Sequence, residues 1–420
     1  MNIGIDIRSL LEEKRSGVGE YAFRLLDAIF SIDPVRSPIN HNGLVFKKIS
    51  EAEERISNGV DKENNYFLFY NSFKDADKFI PEEWKKLSKV HLVAFRYPNK
   101  IFNFSLKFFN WPKVDKLLVE SRQSPVKPDL FFLPNINFIA LSPEIKKVIT
   151  VHDLSFERFP YFFSFKRRLW HFFINPKKLI KNCDKIVAIS ENTKKDLMDL
   201  YRAKEEKIKV IYSGTIQEVE IAKNHFEKEE LRKKYNLREK FILFVGTIEP
   251  RKNIEGLIRA FEILKSEKGE AVKDCELVVV GQYGWLYKKI LERAKKSPYG
   301  REIRFINYVS EKDKFYFYQL AKIFVYISFY EGFGFPPLEA AASGTPVVTS
   351  SVSAIPEVMG NAAVMVDPNN PKEVAEAIYQ CLTDNNLRER MREKEKKQVA
   401  EFTWEKCARE VVGLFWGGPQ

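Results

Sequence analysis

Short apolar runs alternate with stretches whose apolar positions recur at helical spacing along almost the whole chain. The first run, residues 2–7, reads as a β-strand ending at Arg8. After Ser16-Gly17-Val18-Gly19, the positions of Tyr21, Leu25, Ala28 and Ile29 predict an amphipathic helix over 20–30. Further strands are expected at 66–70, 91–95, 130–133, 147–151 and 185–189. Ser190-Glu191-Asn192 follows the last of these and suits the cap of a helix from Thr193.

Residues 209–212 and Ser213-Gly214-Thr215 close this series, and a charged segment over 218–240 leads into a second, more regular one. Its strands are expected at 241–245, 276–280, 303–305, 323–327, 346–349 and 363–366, with helices starting near Ile254, Trp285, Asp313, Leu338 and Pro371. Runs as apolar as Leu277-Val278-Val279-Val280 belong in parallel sheets covered by helices on both faces. With 420 residues, the expectation is an α/β chain with two Rossmann-like parallel-sheet domains, over 1–216 and 217–400, and a terminal helix over 401–420. Between Asp33 and Asn65 the pattern weakens among prolines, asparagines and the charged run 51–55, and 34–64 reads as an inserted surface loop. In parallel α/β domains, chemistry gathers at the carboxyl ends of the strands, here facing a shared cleft.

Composition narrows the classes. Hydrophobic residues at 45% and charged residues at 30% fit a folded globular chain. Four scattered cysteines without a C-x-x-C pair read as buried hydrophobes in a reducing compartment and offer no metal box. The first residues lack the pattern of a secretory signal, and no apolar run is long enough to span a bilayer. A cytoplasmic location follows as the expectation, with any membrane contact peripheral and at the inner face. A formal charge of +12 favours anionic partners: nucleotide phosphates, lipid headgroups or nucleic acid.

Three constellations follow predicted strands. In Gly246-Thr247-Ile248-Glu249-Pro250-Arg251-Lys252-Asn253, a glycine turn, two cations and a coming helix N-terminus suit a diphosphate; an adjacent Arg-Lys pair alone is more often a solvated surface, and the strand-turn-helix context reverses that balance. In Glu331-Gly332-Phe333-Gly334-Phe335-Pro336-Pro337-Leu338-Glu339, glycines bring backbone amides close to a ligand. The two glutamates, in a loop and a first helical turn, can accept hydrogen bonds from the hydroxyls of one bound molecule. In Thr150-Val151-His152-Asp153, His152 can donate to a sugar hydroxyl; packing or capping explains such a His-Asp pair as readily. Gly17-Val18-Gly19 is a weaker phosphate-loop signal, with Ala22 where a full G-x-G-x-x-G has glycine.

These motifs resemble the family-4 retaining glycosyltransferases of GT-B fold, most closely bacterial mannosyltransferases, over nearly the whole chain and most strongly over 241–367. The resemblance implies that Arg251 and Lys252 bind the donor diphosphate as it leaves, that Glu331 contacts the donor sugar, and that Glu339 binds the ribose. It also implies that the Gly332–Phe335 amides hold sugar and phosphate, that Gly246 and Thr247 belong to the donor site, and that His152 lies near the transferred sugar. Gly17, Val18 and Gly19 match the N-domain glycine loop, here without the usual paired glycines, and Ser213-Gly214 stands where the family often has Asn-Gly. The terminal helix around Phe402–Cys407 is implied to return to the first domain. The implied reaction is metal-independent hexosyl transfer with retention, no cofactor beyond a nucleotide-sugar donor, GDP-mannose as first choice and UDP-sugars as the alternative.

The acceptor side is less defined: a polysaccharide, an oligosaccharide or a lipid-linked sugar. Residues 165–181 carry six basic side chains and no acidic one among aromatics, and 95–116 is similar in character. Either segment suits an anionic membrane surface; aromatics in the core and solvated lysines are the plain alternative. A nucleic-acid-binding module would explain the charge but not Glu331 and Glu339 beside a phosphate turn, so no nucleic-acid partner is expected. Dinucleotide oxidoreduction would need a fuller first-turn fingerprint.

Overall fold

A computed structural model describes residues 1–12, 15–32, 64–73, 76–120, 127–216 and 225–416. The inserted loop expected over 34–64 lies outside these apart from Asn64. Two parallel sheets organise the chain. The first contains β1 (Asn2–Asp6), β2 (Asn65–Asn71), β3 (Val90–Phe95), β4 (Leu130–Leu133), β5 (Lys146–Val151), β6 (Lys185–Ala188) and β7 (Ile208–Val210), in the order β3-β2-β1-β4-β5-β6-β7. The second contains β8 (Phe241–Val245), β9 (Glu276–Val280), β10 (Ile303–Ile306), β11 (Ile323–Tyr326), β12 (Val347–Ser350) and β13 (Val364–Val366), ordered β10-β9-β8-β11-β12-β13.

The continuous apolar runs explain why these strands are central. Every residue of β8 and of β9 is buried, including Glu276, whose carboxylate accepts from the Arg238 N–H at 2.8 Å. In a parallel sheet both faces are covered by helices, so alternation gives way to unbroken apolar sequence. Helix Ile254–Lys268 turns Leu257, Ile258, Phe261 and Leu264 onto this sheet. The four cysteines are buried.

Two helix starts differ from expectation by three residues. The first helix begins at Gly17 rather than Glu20, so the glycines form its opening turn. The helix expected near Leu338 begins at Phe335 and runs to Ala342, because Pro336 and Pro337 occupy the first turn, where a missing N–H costs no hydrogen bond. Glu339 consequently sits in the second turn.

Helix Trp404–Phe415 packs against helix Gly17–Ile32: the rings of Tyr21 and Trp404 lie 5.8 Å apart, and Phe415 meets Phe132 of β4 at 5.4 Å. The chain leaving the first sheet runs beside this return, with the Thr215 N–H donating to the Phe402 carbonyl at 3.0 Å. Among the described residues, no helix is long and apolar enough to cross a membrane.

Candidate functional site

In the second sheet the strand order reverses between β8 and β11, which are neighbours, so the loops that follow them diverge and leave a crevice. The loop after β8 carries Gly246 to Asn253, and the loop after β11 carries Tyr330 to Gly334. Their side chains meet in a buried cluster. The Lys252 ammonium donates to Glu331 Oε1 and to the Tyr326 hydroxyl, each at 2.6 Å, and the Tyr326 hydroxyl donates to the same Oε1 at 3.0 Å. Arg251 Nη1 lies 3.1 Å from Glu331 Oε2 and donates to the Tyr330 carbonyl at 2.7 Å, while its Nη2 reaches Glu249 at 2.9 Å.

Two cations and two carboxylates thus share one water-poor space. Burial pushes Glu331 up, but Arg251 and Lys252 outweigh it and hold its carboxyl at about 2. Burial raises Glu249, whose charge Arg251 and Lys252 support. Burial, and then the Arg251 guanidinium, draw Lys252 below the usual ammonium range, so its charge depends on the carboxylates beside it. Tyr326 is driven well above its ordinary value by burial and by Glu331, and serves as a neutral donor.

The turn before helix Ile254–Lys268 is a 3-10 turn over Pro250–Lys252, followed by Asn253 at φ 54°. Asn253 caps the helix itself through the Gly256 N–H at 3.2 Å. The free amides expected at this helix are therefore partly used by its own cap, which corrects that part of the anion-site reading. Free donors occur on the other loop instead. Among the described residues, no protein acceptor meets the backbone N–H groups of Gly332, Phe333, Gly334 and Phe335.

Two glycines there are structurally required. Gly334 has φ +108°, and a Cβ on it would lie 2.5 Å from Ile355 Cδ1. A Cβ on Gly332 would lie 1.9 Å from the His152 carbonyl oxygen, so the second lobe touches the first through a bare backbone. Phe333 is buried against Phe402 and Phe335, and packs rather than reaching into the crevice. Gly246 donates its N–H to the Val280 carbonyl at 2.9 Å, and Thr247 is exposed beside it.

Glu339 does not join Glu331 on a common partner. Its oxygens accept from Lys314 at 3.0 Å and from the Tyr318 hydroxyl at 2.9 Å. His152, after β5, contacts the Pro134 carbonyl through Nε2 at 2.9 Å, and its ring meets that of Tyr21 in a T-shaped pair with centres 4.6 Å apart. Burial lowers its pKa. A carbonyl only accepts, so Nε2 carries the proton; in the neutral ring Nδ1 is then an acceptor. With Nε2 engaged by Pro134, the nitrogen left for the expected contact with a hydroxyl is the acceptor Nδ1 rather than a donor. Gly17, Val18 and Gly19 are not drawn into the charge cluster: the nearest neighbours of a side chain at Gly19 would be Ser9, Arg15 and Ser16.

Sequence reasoning did not single out Tyr326, Tyr330, Lys314, Tyr318 or Glu357, nor give Glu249 a task. Glu357 joins the lobes, accepting from the Glu191 and Asn192 N–H groups at 2.7 and 3.0 Å and from the Tyr212 hydroxyl at 3.2 Å. Tyr330 donates to Asp196, and the Asn192 amide donates to the Tyr330 hydroxyl at 3.2 Å. A cavity of about 330 Å³ lies between Phe162 of the first lobe and Pro250, Asn253 and Phe329 of the second, and neither Arg251, Lys252, Glu331 nor Glu339 lines it.

The chain matches the family described as Glycosyl transferases group 1 over residues 227–398 and Glycosyltransferase Family 4 over 67–217. It is 31% identical over 274 residues to the O-antigen chain mannosyltransferase B of Escherichia coli, covering 64% of this chain and 70% of that protein. The serotype-specific mannosyltransferase WbdA of Escherichia coli is 29% identical over 246 residues, 58% of this chain but 30% of that protein, so the chain spans under a third of that relative. The crystal structure of Anabaena Alr3699/HepE in complex with UDP and glucose superposes with a TM-score of 0.67 at 14% identity, covering 99% of each chain. That last likeness shows the fold, two parallel-sheet lobes of GT-B type.

Proposed function

This chain belongs to the family-4 glycosyltransferases, and we propose that it moves a hexose, with mannose from GDP-mannose as first choice, onto a polysaccharide, oligosaccharide or lipid-linked acceptor. The observation that carries the reading is the convergence of Arg251 and Lys252 beside the unpartnered amides of Gly332 to Phe335, where the second lobe meets His152 of the first. Relatives named as mannosyltransferases support the choice of sugar.

Without donor, Glu249 and Glu331 balance the two cations. A donor diphosphate brings further negative charge, which the free amides and the N-terminus of helix Phe335–Ala342 are placed to receive. As the bond from the anomeric carbon to the diphosphate breaks, negative charge grows on the leaving phosphate, and fixed donors lower the barrier most there. In the same-face reaction we propose, the acceptor oxygen forms its bond to the anomeric carbon on the side the phosphate leaves, and its proton passes to a phosphate oxygen. Retention follows, and the cations supply the charge that a metal would otherwise supply. His152 accepts a hydrogen bond from a sugar hydroxyl through Nδ1.

A donor-hydrolysis screen over GDP- and UDP-sugars, with and without EDTA, tests the reading. GDP-mannose hydrolysis unaffected by EDTA and abolished by replacing Arg251 and Lys252 together is the expected result. A requirement for a divalent metal, or hydrolysis that survives the double replacement, overturns the mechanism.

A further inference from the structure

The two basic, aromatic segments of the first lobe meet on one surface. Helix Asn99–Phe108 and helix Phe165–Ile174 are joined by ring contacts: Phe104 lies 6.0 Å from Phe109 and 4.6 Å from Phe108, Phe108 lies 6.3 Å from Phe173, and Phe173 lies 5.8 Å from Phe172. These rings face water rather than core, with Phe109 exposed by 69% and Phe172 by 73%. A continuous exposed aromatic band of this kind marks an interaction surface.

Its charge is of one sign. Residues 165–181 contain no carboxylate. Within 95–116 the sole carboxylate, Asp115, is buried and accepts from the Ser142 N–H at 2.8 Å. Lys100, Lys166 and Arg168, on the same two helices, are exposed. Arg167 is employed elsewhere: its guanidinium lies 4.2 Å from the ring centre of Trp285 in the second lobe, which Phe163 also stacks upon at 5.3 Å.

We propose that this band docks the protein on an anionic lipid bilayer, with the rings entering the interface and the lysines and arginine meeting lipid phosphates. The chemistry favours lipid: rings in mutual contact form an apolar front that interfacial acyl chains cover, and exposed cations on two segments that carry no exposed carboxylate of their own match a sheet of phosphates. This deepens the reading of a lipid-linked acceptor. It rests on that reading only in placing the acceptor, because docking does not depend on which sugar is transferred. The docked helix is the one clasped to the second lobe through Arg167 and Trp285, so the cleft opens beside the membrane.

Flotation of the full chain with vesicles of phosphatidylcholine alone and of phosphatidylcholine with phosphatidylglycerol tests docking; donor hydrolysis in solution separately tests the transferase reading. The parent is expected to float with the anionic vesicles and be released by salt. K166E/R168E should bind at least ten-fold more weakly, at about five-fold per basic residue lost. F108S/F172S should also bind more weakly, and both variants should hydrolyse donor in solution as the parent does. Parent protein that ignores anionic vesicles, equal binding to neutral vesicles, or variants that float like the parent overturns the proposal. So does a parent dimer that the ring variant turns monomeric with vesicle binding unchanged, which would make the band an interface between copies. Loss of hydrolysis with docking intact counts against the transferase reading alone.

Discussion

In the second lobe, Arg251 and Lys252 sit almost out of water against Glu249 and Glu331, whereas Lys166 and Arg168 in the first lobe stand in solvent within a segment that has no carboxylate. The same residue types therefore do different work. Buried cations are fixed, and their fields are strong because little water screens them. Exposed cations hold no single geometry, contribute little to stability, and act on whatever anionic surface comes near. The difference separates groups placed for a reaction from groups placed for an encounter.

The sharpest way to break that contrast is to replace one cation in each lobe. Lys252→Met leaves Glu331 with one cation fewer and removes a fixed positive charge from the leaving-group side. Breaking a buried pair costs about 3–5 kcal/mol, and losing one fixed donor to a developing anion costs about 10²–10³-fold in turnover. Donor turnover and thermal melting should both fall by these amounts, while K166E melts within about 0.5 kcal/mol of the parent. Equal losses in the two variants would erase the distinction.

Glu331 itself gives a pH test. Its carboxyl is held at about 2 in the folded chain against an ordinary value of about 4.3 unfolded. A lowered carboxylate pKa stabilises the fold above the unfolded value, and that stability drains away as pH falls through the folded one. Glu331→Gln should cost about 3 kcal/mol at neutral pH, with the gap to the parent closing between about pH 4.3 and 2. Denaturant melts across this range measure it; a gap that stays constant with pH would mean the carboxylate is not held by the cations.

Gly332→Ala addresses where the lobes touch. An added Cβ would fall 1.9 Å from the His152 oxygen, so the lobes must part or tilt. Displacement of about 1 Å at a reacting centre costs about 100-fold in rate. Transfer should fall by that factor while nucleotide binding to the second lobe, followed by calorimetry, changes little. Unaltered transfer would show that the contact is not kept during reaction.

Much of this was legible in sequence, and unevenly so. Strands such as β8 and β9 declared themselves because strands buried on both faces are unbroken apolar runs. Arg251, Lys252 and Glu331 stood out because charged residues directly after such strands are conspicuous. Tyr326 did not, since a tyrosine inside an apolar strand reads as core, and only the fold turns its hydroxyl onto Lys252 and Glu331. Helix Phe335–Ala342 starts three residues before the expected Leu338, because a proline pair that reads as the stiff entry to a helix is equally at home inside its first turn. Glu357 and Asn192, 165 residues apart in the chain, carry no mutual signal in a single sequence.

Glu357 offers the smallest and most discriminating effect, because it belongs to neither side of the contrast. It is a buried-edge carboxylate of the second lobe that completes the N-terminus of helix Glu191–Tyr201 in the first. Ser190 serves the Thr193 N–H, and Glu357 serves those of Glu191 and Asn192. A helix N-terminus favours a carboxylate there, and losing such a cap costs about 1 kcal/mol. Because the cap comes from the other lobe, the loss should be felt in closure. Glu357→Ala is expected to raise the donor KM by about five-fold, the equivalent of that cap, with little change in the melting of the second lobe. Glu357→Gln keeps a carbonyl oxygen for one of the N–H groups and should recover part of the loss. If alanine and glutamine behave alike, the bridge acts through charge rather than capping; if neither shifts KM, the lobes are held together by the Trp285 and Tyr330 contacts without it.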